Sequence, residues 1–113
     1  MATQDRLQTV RDCYRAYEVD DRSLIEGHLS PDFKFYSPLD VGIDRDRYFE
    51  RCWPNAAQLS GFEFKRLVEA GDNVFVTYEG TRPDGKRFRN TEVMTFDGDQ
   101  VAQVEVYFGW DLA

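Results

Sequence analysis

The stretch from Arg89 to Gly98 carries the two-residue alternation that is typical of β-strands. Successive side chains of a strand point to opposite faces of its sheet. One predicted face carries Thr91, Val93 and Thr95, and the other carries Asn90, Glu92, Met94 and Phe96. Glu92 therefore shares a face with two large apolar side chains. A carboxylate that faces a core is costly unless it is paired, hydrogen-bonded or neutral.

Three turn signals divide the second half of the chain into four predicted strands. They begin at Gly71 (Gly-Asp-Asn), Pro83 (Pro-Asp-Gly) and Asp97 (Asp-Gly-Asp), and Asp-Gly steps favour tight hairpins. The pattern predicts an antiparallel meander whose strands cover residues 62–69, 74–82, 87–96 and 101–110. In the last strand, the predicted inward positions are Ala102, Val104, Val106 and Phe108.

The first half of the chain shows the three-to-four-residue spacing of amphipathic helices. The first predicted helix has Thr3 as its N-cap, Asp5 in its first turn and an apolar face of Leu7, Val10, Tyr14 and Tyr17. A second, short helix is predicted over residues 20–29. Pro31 follows it, and a proline disfavours helix at the preceding residue.

A short strand and a third helix complete the predicted order. Residues 33–37 alternate as a strand, and residues 38–43 are predicted to form a loop. Asp44 is placed to cap a helix over residues 45–53, which Pro54 ends or kinks. The predicted buried side of this helix consists of Tyr48, Phe49, Cys52 and Trp53.

Composition limits the possible partners of the chain. Its 113 residues predict one domain, over residues 1–113, and the net charge of −7 argues against nucleic acid or an anionic membrane as a partner. Cys13, Cys52 and His28 lack metal-site spacing, so no metal and no cofactor is predicted. No secretion signal or membrane-spanning run is recognised, which predicts a cytoplasmic protein.

The order helix, helix, strand, helix and four strands predicts an α+β fold. It resembles the nuclear transport factor two-like superfold, which includes ketosteroid isomerases and SnoaL-like cyclases. The segment "LSPDFKFYSP" is similar to that family's helix-to-strand segment, and "TEVMTFDGDQVAQVEVYFG" is similar to its last hairpin. The resemblance implies a cone-shaped fold, with three N-terminal helices packed against a curved, mostly antiparallel sheet around an internal pocket.

The resemblance also implies roles for individual residues. Glu92 aligns with the acidic residue that assists the oxyanion hole in the isomerases, and a similar strand position in the cyclases carries an acid–base Asp. The oxyanion Tyr aligns with Cys13, or with Tyr14 after a slip of one residue. The isomerase base aligns with Ser37, whose hydroxyl cannot replace a carboxylate, which argues against a true steroid isomerase. Asp40 is the nearest carboxylate to this position.

These considerations predict a set of site residues. The candidate catalytic residues are Glu92, Tyr14 and Asp40, with Tyr14 or Tyr17 as the hydrogen-bond partner of Glu92. The candidate substrate-binding residues are Tyr17, Ser37, Phe35, Trp53, Met94 and Phe108.

Several of these candidates have a structural alternative, which for Phe108 is a simple core position. Glu92 can instead lie at the surface or form an ion pair with Arg45 or Arg89. The two tyrosines and Trp53 can be core residues, and Asp40 can be a solvated loop residue.

The predicted function is an apolar pocket for a small hydrophobic molecule. Cofactor-free acid–base catalysis through Glu92, of the isomerase, cyclase, dehydratase or hydrolase type, is the first hypothesis. A non-catalytic ligand-binding or dimerisation module is the alternative, because one fold hosts many functions. The outer sheet face mixes polar, β-branched and aromatic residues, which predicts a homodimer: Thr91, Val93, Thr95, Gln103, Glu105 and Tyr107.

Overall fold

A computed structural model describes residues 5–53 and 61–112. These residues form three helices and six strands. In chain order the elements are α1 (Arg6–Val19), α2 (Ser23–Glu26), β1 (Leu29–Tyr36), β2 (Val41–Asp44), α3 (Arg45–Arg51), β3 (Gly61–Ala70), β4 (Asn73–Thr81), β5 (Arg87–Asp97) and β6 (Gln100–Leu112).

The six strands form one sheet in the order β2-β1-β6-β5-β4-β3. The predicted meander of β3 to β6 is confirmed, since each of these strands pairs antiparallel with the next. Strand β1 joins the meander through a parallel pairing with β6, so the sheet is mixed. Helix α1 packs on β3 and β4, and α3 packs on β1 and β2, which places the main core between the helices and one face of the sheet.

Helices α1 and α3 begin at aspartate N-caps. The Asp5 carboxylate accepts from the Leu7 N–H at 2.9 Å, so Asp5 caps α1, and the predicted cap Thr3 lies outside the described residues. Asp44 caps α3 as predicted, by accepting from the Arg47 N–H at 2.9 Å. Each cap satisfies one of the free N–H groups at a helix start.

The predicted apolar side of each helix lies in the core or against it. In α1, Val10 and Tyr14 are buried, and Leu7 and Tyr17 pack against the core. In and after α3, Tyr48 and Phe49 are buried, and Cys52 and Trp53 are half-buried.

Two predicted elements differ from the structure at the start of the sheet. Helix α2 has only four residues, because Leu29 pairs with Val101 and belongs to β1. The His28 carbonyl accepts from the Val101 N–H at 2.7 Å, which fixes this entry into the sheet. The predicted loop at 38–43 is wrong in its second part, since Val41–Asp44 forms β2 and pairs with β1.

A bulge in β6 changes which side chains point inward. Thr95 lies opposite Gln103 and Phe96 lies opposite Val101, so Ala102 is an extra residue in β6. A bulge of this kind interrupts the two-residue alternation. Val101, which is fully buried, therefore takes the core position predicted for Ala102.

Candidate active site

A cavity of about 370 Å³ lies between the helices and the inner face of the sheet. This volume suits a small molecule. Most of its lining side chains are aromatic or aliphatic, and its charged members are Asp40, Arg51 and Glu92. The cavity therefore offers a largely apolar space with a few polar groups on its wall.

Glu92 lies on the cavity wall and accepts a hydrogen bond from the sheet. The Tyr78 hydroxyl donates to Glu92 Oε2 at 2.9 Å, and Asn90 Nδ2 donates to the Tyr78 hydroxyl oxygen at 3.3 Å. The Tyr14 hydroxyl is buried near this carboxylate and has no hydrogen-bond partner among the described residues. Tyr14 thus places its hydroxyl close enough to Glu92 to stabilise the charged carboxylate.

Burial raises the pKa of Glu92, because desolvation disfavours the charged carboxylate. Tyr78 and Tyr14 act in the opposite direction and lower this pKa by stabilising the negative charge, but desolvation is the larger effect. Glu92 is only partly exposed, and it lines the cavity. The result is a carboxyl group that is enclosed by protein and holds its proton more strongly than an ordinary glutamate.

The alternative in which Glu92 forms a structural ion pair is contradicted. Arg45 donates to the Glu26 carbonyl at 2.7 Å, and Arg89 pairs with Glu79 on the other face of the sheet. Among the described residues, no cation compensates the desolvation of Glu92.

The tyrosines and cysteines of the cavity stay protonated. Desolvation is the main reason that the pKa of Tyr14, Tyr17, Tyr48 and Tyr78 is raised, so these phenols remain hydrogen-bond donors at neutral pH. Burial likewise raises the pKa of Cys13 to about 12 and that of Cys52 to about 11. A thiol that stays protonated is a poor nucleophile, so neither cysteine is suited to covalent catalysis.

Tyr17 lies on another part of the cavity wall and does not bond Glu92. Its hydroxyl forms a short hydrogen bond with the Tyr48 hydroxyl, which links α1 to α3. Trp53 packs on Tyr17 with ring centroids 5.0 Å apart, and on Phe49 at 6.3 Å. Trp53 is not among the described residues that line the cavity, and it contacts the lining residue Tyr17, so its contact with a substrate stays a prediction.

Asp40 and Ser37 lie together on the cavity lining, next to Arg51. Asp40 Oδ1 pairs with Arg51 Nε at 2.5 Å, and the Asp40 side chain is only 14% exposed, so Asp40 is not a solvated loop residue. The Ser37 hydroxyl oxygen accepts from the backbone N–H groups of Leu39 and Asp40, each at 3.1 Å. Ser37 therefore shapes the turn that brings Asp40 to the cavity.

Comparison with known proteins identifies the family of this chain. A family model described as SnoaL-like domain matches residues 10–104. The chain belongs to the SnoaL-like family. No curated protein matches it significantly.

Solved structures with low sequence identity share the fold of this SnoaL-like domain. An NTF2-like protein of unknown function from Cytophaga hutchinsonii is 19% identical, with a TM-score of 0.75 over 96% of this chain and 95% of that chain. One from Burkholderia pseudomallei is 19% identical, with a TM-score of 0.73 over 95% and 92%. AclR from Streptomyces galilaeus, a proposed hydroxylase, is 19% identical, with a TM-score of 0.75 over 92% and 74%. At such identities these likenesses show the fold alone.

The structure brings most of the predicted site residues of this SnoaL-like domain to one cavity. Tyr14, Tyr17, Phe35, Ser37, Asp40, Glu92, Met94 and Phe108 all line it. Phe108 is 53% exposed, so it lies at the opening rather than in the interior.

Sequence reasoning missed Tyr78, the residue that donates to Glu92. The alternation of β4 places Val74, Val76 and Tyr78 on the inner face, and this signal was present in the sequence. The register between β4 and β5 could not be read from the sequence. In the structure, Val76 lies opposite Glu92, and Tyr78 lies opposite Asn90. Tyr78 is therefore a diagonal neighbour of Glu92, within reach of a long side chain.

The described residues show no metal centre and no membrane span. No group of three or more His, Cys, Asp or Glu side chains at 5–53 and 61–112 is arranged to hold a metal ion. In the same ranges, no helix combines the length and the apolar character that crossing a membrane requires.

Proposed function

We propose that this SnoaL-like domain binds a small hydrophobic molecule in its cavity and transfers a proton to or from it, with Glu92 as the acid or base and without a cofactor. One observation carries the proposal. A carboxyl group lies on the wall of an apolar cavity, where Tyr78 bonds it and no cation of the described residues pairs with it. Perturbed carboxyl groups in cavities are characteristic of acid–base sites.

The neighbours of Glu92 fit a reaction next to a carbonyl group. A raised pKa lies closer to neutral pH. A carboxyl group with such a pKa can both accept and release a proton near pH 7. The buried Tyr14 hydroxyl lies beside Glu92, where it stabilises the negative charge that the carboxyl group gains when it gives up its proton. Isomerisation, cyclisation, dehydration and hydrolysis are the reaction classes that such a pair supports.

Asp40 is the candidate for a second acid–base group. The base position of the isomerases is occupied by Ser37, whose hydroxyl oxygen is used in the turn. The Asp40 carboxylate lines the same cavity and pairs with Arg51. Tyr17, Ser37, Phe35, Met94 and Phe108 are proposed to contact the substrate, because their side chains line the space around these groups.

A panel of small apolar carbonyl compounds tests the proposal. Binding is measured by the shift in unfolding temperature, and turnover by NMR, including exchange of carbon-bound protons with deuterium from D₂O. Glu92→Gln is expected to lower turnover by roughly 100-fold or more, since general acid–base groups contribute about 10² to 10⁴. Glu69→Gln, which removes an exposed carboxylate on β3, is the matched control and leaves turnover unchanged. Full turnover in a folded Glu92→Gln protein would contradict the role of Glu92.

The second candidate function is a binding module without catalysis. The same cavity supports it, because a desolvated carboxyl group on an apolar wall can also fix the orientation of a ligand. Binding of panel compounds without any turnover or proton exchange favours this alternative. An open cavity is the observation that disfavours a module whose pocket is filled by its own side chains.

A homodimer through the outer sheet face is proposed alongside either function. Val68, Phe75 and Tyr107 are 54%, 41% and 54% exposed, and β-pairing places them on the face opposite the cavity. Exposed apolar groups on one face are typical of interaction surfaces. Light scattering at micromolar concentration is expected to give the dimer mass, and Phe75→Glu to give the monomer mass. A wild-type monomer at that concentration would contradict this assembly.

A further inference from the structure

We propose that Asn90 is a positioning residue, which fixes the direction of the hydrogen bond between Tyr78 and Glu92. Glu92 Oε2 then accepts from Tyr78, and Oε1 is the oxygen that exchanges a proton with the ligand. This inference rests on the proposed function for the role of Oε1. The direction of the hydrogen bonds is a separate claim that can be tested without a substrate.

The first link in the argument is a second bulge in β6. Asn90 lies opposite Phe108 and Phe88 lies opposite Asp111, so Gly109 and Trp110 together face the single residue Arg89. In this bulge the Gly109 N–H donates to Asn90 Oδ1 at 3.2 Å. A Cβ atom at position 109 would lie 2.1 Å from the Arg89 carbonyl oxygen, so only glycine permits this approach of the two backbones.

The second link is the orientation of the Asn90 amide. A side-chain amide has an acceptor end and a donor end. Because the Gly109 N–H is a donor, it holds the Oδ1 end toward β6. The Nδ2 end is then turned toward β4, where it donates to the Tyr78 hydroxyl oxygen at 3.3 Å.

The third link is the single proton of the Tyr78 hydroxyl. With Asn90 donating to its oxygen, Tyr78 directs its own proton to Glu92 Oε2 at 2.9 Å. The hydrogen bonds thus run in one direction, from the Gly109 backbone through Asn90 and Tyr78 to Glu92. When Glu92 is protonated, its proton lies on Oε1, since Oε2 is already accepting a hydrogen bond.

Two further observations agree with an indirect role for Asn90. Asn90 does not contribute to the cavity lining, whereas Tyr78 and Glu92 do. Burial raises the pKa of both Tyr78 and Glu92, and the hydrogen bonds from Asn90 to Tyr78 and from Tyr78 to Glu92 partly oppose this rise. Asn90 therefore acts on Glu92 through Tyr78.

The decisive variant is Asn90→Asp. Aspartate has two acceptor oxygens and no donor, so the Gly109 N–H stays satisfied while the Tyr78 proton is drawn to position 90. The chain of hydrogen bonds then reverses, and Glu92 loses its donor. Asn90→Ala removes the orienting amide and leaves Tyr78 free to donate to Glu92. Asn73→Asp is the matched control, since Asn73 bonds Thr95 at the other end of β4.

The measurement is the ¹³C resonance of the Glu92 carboxyl group, assigned by its loss in Glu92→Gln. At a pH high enough to ionise Glu92, so that the carboxyl group carries no proton of its own, a hydroxyl donor gives this resonance an isotope shift between H₂O and D₂O. The shift is expected in wild type, Asn90→Ala and Asn73→Asp, and is expected to be lost in Asn90→Asp. Circular dichroism establishes that each variant is folded.

The result that overturns the inference is an isotope shift that persists in folded Asn90→Asp. If Asn90→Asp does not fold, Asn90→Ser serves as the second variant, because serine can donate or accept. The inference then requires the Glu92 shift to be weaker than in wild type, and an unchanged shift contradicts it. Failure to find a substrate would count against the proposed function, whereas these NMR results decide the direction of the hydrogen bonds.

Discussion

Two glutamates on neighbouring strands of this domain both have carboxylates that are largely covered by other side chains, but the covering side chains differ in charge. Glu79 on β4 points to the outer sheet face and Glu92 on β5 points to the cavity, and both have little contact with bulk water. Glu79 is 6% exposed, but its cover consists of basic side chains at the surface of the sheet: Arg87 Nη2 lies at 2.6 Å, Arg89 Nη2 at 2.5 Å and Lys65 Nζ at 4.0 Å. Glu92 is covered by apolar and phenolic groups.

The pKa directions of the two carboxyl groups differ accordingly. The hydrogen bond from Arg89 is the main reason that the pKa of Glu79 is lowered, with smaller contributions from Lys65 and Arg87. Desolvation without a cation raises the pKa of Glu92. Low exposure alone therefore does not identify an acid–base group. The charge of the covering atoms decides whether a carboxyl group is a structural ion or a proton carrier.

Three arginines on the β4–β5 hairpin, Arg82, Arg87 and Arg89, belong to this comparison. Arg87 and Arg89 are engaged by Glu79, and Arg82 pairs with Asp111 at 3.2 Å. These three cations therefore pair with acidic side chains of the sheet.

The largest stability effect is expected from Glu79→Gln, which would leave Arg87 and Arg89 as close like charges. A lowered folded pKa stabilises the fold above the unfolded value, for which 4.5 is the reference, and this stability is lost as pH falls through the folded value. Glu79→Gln should therefore destabilise the protein at pH 7 and match wild type in strong acid. Urea unfolding at several pH values measures this difference.

Glu63→Gln is the control for that prediction. Glu63 pairs with the same Arg87, but its side chain is 60% exposed. Exposed ion pairs contribute about 0 to 1 kcal/mol, so this variant should stay close to wild type. If both variants lost the same free energy of unfolding, the low exposure of Glu79 would not make its ion pairs stronger than those of Glu63.

A smaller effect of opposite sign is expected from Glu92→Gln. A raised folded pKa gives stability that is fully present below about pH 4.5 and is lost as pH rises through the folded value. At pH 7 the wild-type protein carries this penalty, whereas the neutral amide does not. Glu92→Gln should therefore be more stable than wild type at pH 7, and the difference should disappear toward pH 4. A Glu92→Gln protein that is less stable at pH 7 would contradict the desolvation argument.

The smallest effects are expected from the two tyrosines beside Glu92. Tyr78→Phe removes a hydrogen bond to Glu92 and should cost about 1 kcal/mol or somewhat more. Tyr14→Phe removes a buried hydroxyl that lies near Glu92 without a well-aligned hydrogen bond, so it should cost less stability than Tyr78→Phe. Urea unfolding of both variants tests this order. An equal loss of stability in the two variants would contradict the weaker geometry of the Tyr14 interaction with Glu92.

Local patterns predicted the class of fold and the inward direction of Glu92. The alternation of β5 placed Glu92 beside Met94, and both line the cavity. The helical spacing of Val10 and Tyr14 predicted the buried side of α1. These predictions succeed because the period of apolar residues must match the period of the element that buries them.

Contacts between elements determine the partner of Glu92, the bulges in β6 and the surroundings of each glutamate. Sequence could not choose among the phenols that might bond Glu92, because that choice depends on the register of β4 against β5, which selects Tyr78. It could not show that Ala102 and Gly109 lie in bulges, because a bulge exists only relative to a partner strand. Nor could it show which glutamate meets arginines and which meets tyrosines. The alternation set the direction of Glu92, and the neighbours that the sheet and helices bring to it set its chemistry.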